Sequence, residues 1–249
     1  INFSHSLITK LYEFENKSAA MHIVDEKLLQ HWIDTSSYRR AVEWVINGNV
    51  IFERNEYLTN LKEHMREFPQ QTRNLKKAIE FAKLIRSYSE SKDLYDSEQY
   101  LDSYSRMVNS LHYLARLSII EKGFHPEVTV WNQVKRIEPE IYKLYQELIE
   151  SDEPTEKRIQ LMTLAVEHSI SKRSRASAQH LLQLMSEREE PWSFGELKVH
   201  PEIQEYILDL SSMIEYLVDH HVIEVVPQDT KGPQIFHRRY KPVDQYVDQ

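Results

Sequence analysis

The feature that most restricts the fold of this chain is a helical pattern that runs from Glu56 to about Arg175. In one segment the apolar residues recur at the spacing of a single buried helical face; they are Tyr100, Met107, Leu111, Leu114 and Ile119. Gly123 is suited to end that helix. Five prolines then each precede a polar or acidic stretch that predicts the start of a shorter helix: Pro126, Pro139, Pro154, Pro191 and Pro201. Proline is favoured at the first helical position. The pattern predicts a helical bundle with short connections.

Glycine is scarce, with only four in 249 residues: Gly48, Gly123, Gly195 and Gly232. Average usage is about 7%, so the low count favours helices over turns. Phosphate-binding loops and dinucleotide fingerprints need two or three clustered glycines, and no two of these glycines are close together. Both kinds of nucleotide site are therefore excluded within this chain.

Two short β-like runs occupy residues 10–24, before the helical region begins. Tyr12 and Phe14 share one side of the first run, as Met21 and Ile23 do on the second, which predicts a half-buried sheet. A lone hairpin is marginal in water and normally belongs to a larger sheet. Asp25 is a plausible N-cap for a following short helix, and a second short helix ends near Gly48. Residues 49–55, NVIFERN, predict another short strand.

The C-terminal region predicts three helices followed by a strand, a Thr-Lys-Gly turn and a second strand, which is the winged-helix arrangement. From Ser177 to Gln249 it carries six Lys/Arg against thirteen Asp/Glu, a net charge of −7. Its presumptive recognition helix, QEYILDLSSMIEYLVDHH, contains no Lys or Arg, whereas major-groove binding normally uses them. The acidic helix makes DNA binding doubtful and favours protein contact or a homodimer.

Charge and composition restrict the remaining classes of function. The chain has no cysteine, which excludes disulfides, thiolate zinc sites and cysteine nucleophiles. It has no apolar run of about 18 residues and no signal-peptide pattern, which predicts a soluble, cytoplasmic protein without membrane contact. The net charge of −8 argues against a globally basic nucleic-acid binder.

The run LHYLARLSIIEKGFHPEVTVWNQVKRIEPEIYKLYQEL, Leu111–Leu148, resembles a bacterial nucleotidyltransferase-like family. Members of this family join a minimal polymerase-beta-type nucleotidyltransferase domain, a helical domain like that of kanamycin nucleotidyltransferase, and a C-terminal helix-turn-helix domain. The resemblance implies an α+β, mostly helical chain with a partial nucleotidyltransferase sheet, a helical bundle and a C-terminal winged helix. The three domains would span residues 1–68, 69–175 and 176–249.

The resemblance also implies a demand for metal ligands. Nucleotidyl transfer uses carboxylates to hold two Mg²⁺ ions; active relatives take two from an Asp-x-Asp pair after a Gly-Ser turn and a third from a central strand. Neither motif is present in this sequence. Ser4 and His5 stand where the pair is expected, and Ala19 or Ala20 where the third carboxylate is expected. We therefore expect a degenerate domain with no cofactor and no catalytic residue; the alternative is an active, Mg²⁺-dependent enzyme whose ligands lie outside this sequence.

We expect a small ligand or a protein partner to bind in a groove between the first two domains. The candidate ligand-binding residues lie on one helical face and around the following turn: Asn109, His112, Arg116, Trp131, Asn132 and Lys135. Hydrogen bonds between helices and a core position for the tryptophan are the alternatives, and the sequence does not decide between them.

A further alternative is a nucleic-acid-associated regulator. Its candidate residues lie in a basic segment between the second and third domains and in the second strand of the wing: Lys172, Arg173, Arg175, Arg238 and Arg239.

Overall fold

The computed structural model describes residues 7–232 and 234–243. The chain divides into two compact units, one ending at Thr72 and the other beginning at Arg73. Within the described residues, no helix combines the length and the apolar character that crossing a membrane requires.

The first unit contains an antiparallel hairpin and three helices. The hairpin consists of β1 (Ile8–Phe14) and β2 (Lys17–Ile23), and the helices are α1 (Glu26–Thr35), α2 (Arg39–Asn47) and α3 (Tyr57–Glu67). Glu15 and Asn16, the two residues between the strands, both have positive φ, as the favoured two-residue hairpin turn requires. Asp25 caps α1 as predicted, because its carboxylate accepts the Leu28 backbone N–H at 2.7 Å.

Two expectations for the first unit are wrong. The hairpin is not half-buried, since Leu11 is 80% exposed and Phe14 is 74% exposed. Residues 49–55 are not a strand, and Ile51 and Phe52 are exposed there. A run of residues with strand propensity forms a strand only where another strand pairs with it, and no strand of the described chain pairs with residues 49–55.

The helical bundle of the second unit confirms the predicted helical region. It consists of α4 (Gln70–Asp96), α5 (Tyr100–Glu121), α6 (Val130–Ile137), α7 (Pro139–Glu150) and α8 (Thr155–Ser177). Four of the five predicted stripe residues of α5 are fully buried, and Tyr100 is partly buried. Gly123 follows α5 with φ +85°. Pro139 begins α7, whereas Pro126 and Pro191 lie outside helices, so the helical starts predicted directly after those two prolines are wrong.

A pair of buried serines joins α4 to α5. The Ser91 hydroxyl donates to the Ser103 carbonyl oxygen at 2.9 Å, and the Ser103 hydroxyl donates to the Ser91 carbonyl oxygen at 2.7 Å. Because serine is small and each hydroxyl bonds across to the other backbone, the two helices approach closely at this point.

The winged helix also lies in the second unit, and its arrangement is as predicted. Its elements are α9 (Gln179–Met185), β3 (Trp192–Ser193), α10 (Phe194–Val199), a 3₁₀ helix (Pro201–Tyr206), α11 (Leu210–Asp219), β4 (Ile223–Asp229) and β5 (Phe236–Pro242). The strands form one antiparallel sheet in the order β3-β5-β4. The presumptive recognition helix is not one continuous helix, because the 3₁₀ helix ends before α11 begins.

Candidate functional site

The bundle brings together three of the six predicted ligand-binding residues. His112 and Arg116 are one turn apart on α5, which places their Cβ atoms about 6 Å apart. The ring of Trp131, on α6, lies 5.0 Å from the ring of His112. The ring of Tyr145, on α7, stacks on one face of the Trp131 indole at 3.8 Å and 12°, and it lies 6.5 Å from the ring of His112. The three rings therefore form one aromatic cluster that joins α5, α6 and α7.

A buried acid lies beside this group. Glu80, on α4, is only 4% exposed, and its Oε2 lies 3.9 Å from a guanidinium nitrogen of Arg116. Arg116 also lies over the Tyr113 ring, 5.7 Å from its centroid. Sequence reasoning missed Glu80, although the signal was present: it is the single acidic residue of KKAIEFAK, a stretch of α4 that is buried except for the partly buried Lys83.

We call the set Glu80, His112, Arg116 and Trp131 the His112 face. Oε2 of Glu80 and Nε1 of Trp131 are buried and make no hydrogen bond in the described part of the chain, although Oε2 has the Arg116 guanidinium as its ion-pair partner. Buried polar atoms are nearly always paired with protein, water or another molecule, and leaving one unpaired costs about 1–3 kcal/mol. The His112 face thus offers one buried acceptor and one buried donor to a bound molecule.

The other three predicted ligand-binding residues have different surroundings. Asn109 and Asn132 are exposed. The exposed Lys135 places its ammonium 5.1 Å from the centroid of the Tyr142 ring on α7. The prediction of a groove between the first two domains stays a prediction.

The basic segment predicted between bundle and winged helix is instead the C-terminal end of α8, and two of its three cations are occupied by intramolecular bonds. Arg173 bonds to Glu121, and also to Glu138 at 2.7 Å. Burial raises the pKa of Glu121, while the neighbouring Arg173 opposes that shift. Arg175 donates to the Val243 carbonyl oxygen at 2.7 Å. Of the three predicted cations in this segment, the exposed residue is Lys172.

Of the two wing arginines, one is occupied by intramolecular bonds and the other is exposed. Arg239 bonds to the Glu196 carboxylate at 3.0 Å and to the Gln228 side-chain oxygen at 2.7 Å. Arg238 is exposed and lies over the Tyr240 ring. Lys172 and Arg238 are therefore the exposed members of the five residues predicted to bind nucleic acid.

One position at which the resemblance expects a metal-ligating carboxylate, Ala19 or Ala20, lies in the hairpin. Ala19 and Ala20 lie exposed on β2, opposite Tyr12 and Leu11 of β1. The Asp25 carboxylate is already engaged in capping α1. Ser4 and His5 lie outside the described residues. Over the described ranges, no three His, Cys, Asp or Glu side chains are grouped so that they could hold a metal ion.

Comparison with known proteins places each part of the chain. Residues 2–73 match a family described as nucleotidyltransferase-like, residues 74–173 match the YgxA-like substrate binding domain, and residues 179–242 match a helix-turn-helix domain. The uncharacterized protein YgxA of Bacillus subtilis strain 168 is 42% identical over 231 residues, which are 93% of this chain and 78% of that protein. The chain belongs to the YgxA-like family.

A solved structure agrees with this assignment. The crystal structure of a nucleotidyltransferase-like protein from Exiguobacterium sibiricum superposes with a TM-score of 0.81 at 37% identity, covering 96% of this chain and 82% of that one. The three-part resemblance and the α+β, mostly helical fold are thus confirmed. All four residues of the His112 face fall inside the match to the YgxA-like substrate binding domain.

Proposed function

We propose that this YgxA-like protein binds a small planar ligand at the His112 face and does not transfer nucleotides. The observation that carries the proposal is that two buried polar atoms on that face lack a hydrogen bond, Oε2 of Glu80 and Nε1 of Trp131. A ligand that donates to the Glu80 carboxylate and accepts from the Trp131 indole N–H would supply both missing hydrogen bonds. The cost of a buried polar atom without a hydrogen bond is about 1–3 kcal/mol.

The chemistry of the face favours a nitrogen heterocycle of the nucleoside class. Such a ring carries adjacent donors and acceptors, and its flat surface can stack on imidazole or indole; stacking on an aromatic side chain is worth about 1–3 kcal/mol per base. Since Tyr145 already covers one face of the Trp131 indole, the ligand would stack on the other face, with the His112 ring at the indole edge. Arg116 keeps the buried Glu80 charge compensated.

The absence of nucleotidyl transfer is proposed from the residues of β2. The position at which active relatives carry a third carboxylate is occupied here by Ala19 or Ala20, whose methyl groups cannot coordinate a metal ion. A triphosphate would then lack the cations that neutralise charge as the phosphoryl group moves. Binding of the heterocycle needs no such ion, because the donors and acceptors of the heterocycle itself are uncharged.

The test is calorimetric titration of nucleosides and nucleoside triphosphates into the natural full-length protein, with Mg²⁺ and with EDTA. We expect nucleoside binding that EDTA does not change, together with no release of pyrophosphate. Trp131→Phe and Glu80→Gln should each weaken binding about 10-fold, the equivalent of one lost hydrogen bond of about 1.4 kcal/mol.

Matched variants separate binding from folding. Trp192→Phe is the control for the indole, because Trp192 donates to the Met185 carbonyl oxygen in the winged helix. Glu90→Gln is the control for the carboxylate, because Glu90 pairs with Arg106 on the bundle. Equal losses in test and control variants would remove the His112 face as the site. Mg²⁺-dependent triphosphate binding with pyrophosphate release would instead establish the active-enzyme alternative.

A further inference from the structure

The surface of α11 and the residues at its ends divides into three lengthwise stripes, as expected for a helix with 3.6 residues per turn. One stripe forms the core of the winged helix: Leu210, Met213, Ile214 and Leu217 are buried. A second stripe consists of Asp209, Ser212, Tyr216 and His220, and we call it the bundle stripe. A third, Ser211, Glu215 and Asp219, is exposed.

The bundle stripe is bonded to α4 at its first residue. Asp209 is 4% exposed, and its Oδ1 lies 2.9 Å from Nε of Arg86. Burial raises the pKa of Asp209, and the Arg86 cation counteracts that shift. The presumptive recognition helix and the bundle are therefore joined by an ion pair whose carboxylate is buried.

At the other end of the bundle stripe, Glu167 of α8 is bonded to three side chains. Its Oε1 lies 3.1 Å from Nε2 of His220 and 3.4 Å from the Tyr216 hydroxyl. Its Oε2 accepts from the hydroxyl of Tyr88, on α4. Burial and the Glu167 carboxylate raise the pKa of both tyrosines, so both remain neutral hydrogen-bond donors. We call these four residues the Glu167 cluster.

Ring contacts complete this interface. Tyr216 meets Phe81 of α4 edge to face, with 6.3 Å between centroids and an angle of 80°. His220 stacks on Tyr216 at 3.8 Å. The bundle stripe thus contacts polar and aromatic side chains of α4 and α8 at Asp209, Tyr216 and His220, and a cleft lies at Ser212.

The stripe that stays exposed is acidic. Glu215 and Asp219 project from it, and α11 contains no Lys or Arg. DNA binding depends on cations that neutralise phosphates and on donors that reach base edges. Neither outward stripe of α11 meets that requirement, because one is occupied by the bundle and the other repels phosphate.

We infer that the winged helix of this chain uses its recognition helix to bind the helical bundle of the same chain, and not to read DNA. The partner of α11 is the surface formed by Arg86, Tyr88 and Glu167. The inference is independent of the ligand proposed above, because it uses none of the residues of the His112 face.

Cross-linking tests the interface in solution, and it is simplified because the chain has no cysteine of its own. Thr163 of α8 and Ser212 of α11 line one cleft at the interface. The double variant Thr163→Cys/Ser212→Cys should react with a short bis-thiol reagent several-fold faster than the matched Thr163→Cys/Ser211→Cys variant. Ser211 is the adjacent residue on the exposed stripe, so the two variants differ only in the direction of one side chain. Equal rates for the two variants would overturn the inference.

DNA binding is tested by fluorescence anisotropy with a random-sequence duplex at about 50 and about 200 mM salt, where phosphate-mediated binding changes steeply. We expect no binding that depends on α11, in the unmodified chain or in Glu167→Gln, which loosens the interface. Weak binding lost in Arg238→Ala and retained in Ser211→Asp would agree with the inference, because it would assign DNA contact to the wing. Binding lost in Ser211→Asp, or acquired on Glu167→Gln, would overturn it.

Discussion

Replacing Glu167 by alanine should destabilise the second unit well beyond the effect of an ordinary surface substitution. The change removes the acceptor shared by Tyr88, Tyr216 and His220. Tyr88 is the most affected because its side chain is only 2% exposed, so its hydroxyl cannot easily turn to water. An unsatisfied buried hydroxyl costs about 1–3 kcal/mol.

The other two contacts contribute less. The Tyr216 hydroxyl is 3.4 Å from Glu167, which is long for a hydrogen bond between oxygens. The side chains of His220 and Glu167 are 30% and 33% exposed, so solvent screens their interaction to about 0–1 kcal/mol. Together the losses come to about 2–4 kcal/mol, or a fall in Tm of about 5–10 °C for a domain of this size.

Urea unfolding followed by circular dichroism measures this difference. Glu147→Ala, an exposed glutamate on α7, is the matched control and should change the free energy of unfolding by less than about 0.5 kcal/mol. Combining Glu167→Ala with Tyr88→Phe should give a double-mutant coupling of about 1–2 kcal/mol. A Glu167→Ala effect no larger than the control, or additive double-mutant energies, would refute the role given to this carboxylate.

Three further predictions concern pH and backbone conformation. The Ser193 backbone N–H and the Arg188 guanidinium lower the pKa of Glu196 to about 2. The ionised Glu196 carboxylate therefore stabilises the fold above the pKa of the unfolded chain, about 4.3, and this stabilisation is lost as pH falls towards 2. The urea midpoint of Glu196→Gln should therefore lie below that of the unmodified chain at pH 7 and approach it near pH 2. Burial lowers the pKa of His180, so the folded state loses stability as pH falls below the unfolded value of about 6.5. The urea midpoint of the unmodified chain should therefore fall between about pH 7.5 and about pH 5.5, and His180→Asn should make this fall smaller. Gly123 has φ +85°, and Gly123→Ala should lower the free energy of unfolding by about 1 kcal/mol, measured by thermal denaturation.

Local sequence patterns predicted most of the helices and the type of the C-terminal domain. The α5 stripe was found because helical periodicity depends on residues three and four apart, and the Asp25 cap because it depends on one side chain and the following turn. The wing was found from a turn between two short apolar runs. Each of these patterns depends only on residues that are close together in the sequence.

The errors and omissions arise where distant parts of the chain determine the outcome. Residues 49–55 have strand-like composition but no pairing strand in the described chain. Glu80 was overlooked because its importance comes from Arg116, 36 positions further along the sequence. Glu167 was overlooked for the same reason, since its partners come from α4 and α11. The acidity of the recognition helix was visible in the sequence, but its attachment to the bundle was not.

The reciprocal serine bonds between α4 and α5 have a consequence for how ligands can be selected. Sliding one helix along the other would break both bonds, which involve Ser91 and Ser103. Glu80 lies on the first of these helices and Arg116 on the second, so the offset between acid and guanidinium is fixed in advance. Polar groups held at a fixed spacing discriminate between ligands by the spacing of the ligands' own donors and acceptors, and they gain affinity because little conformational entropy is lost on binding.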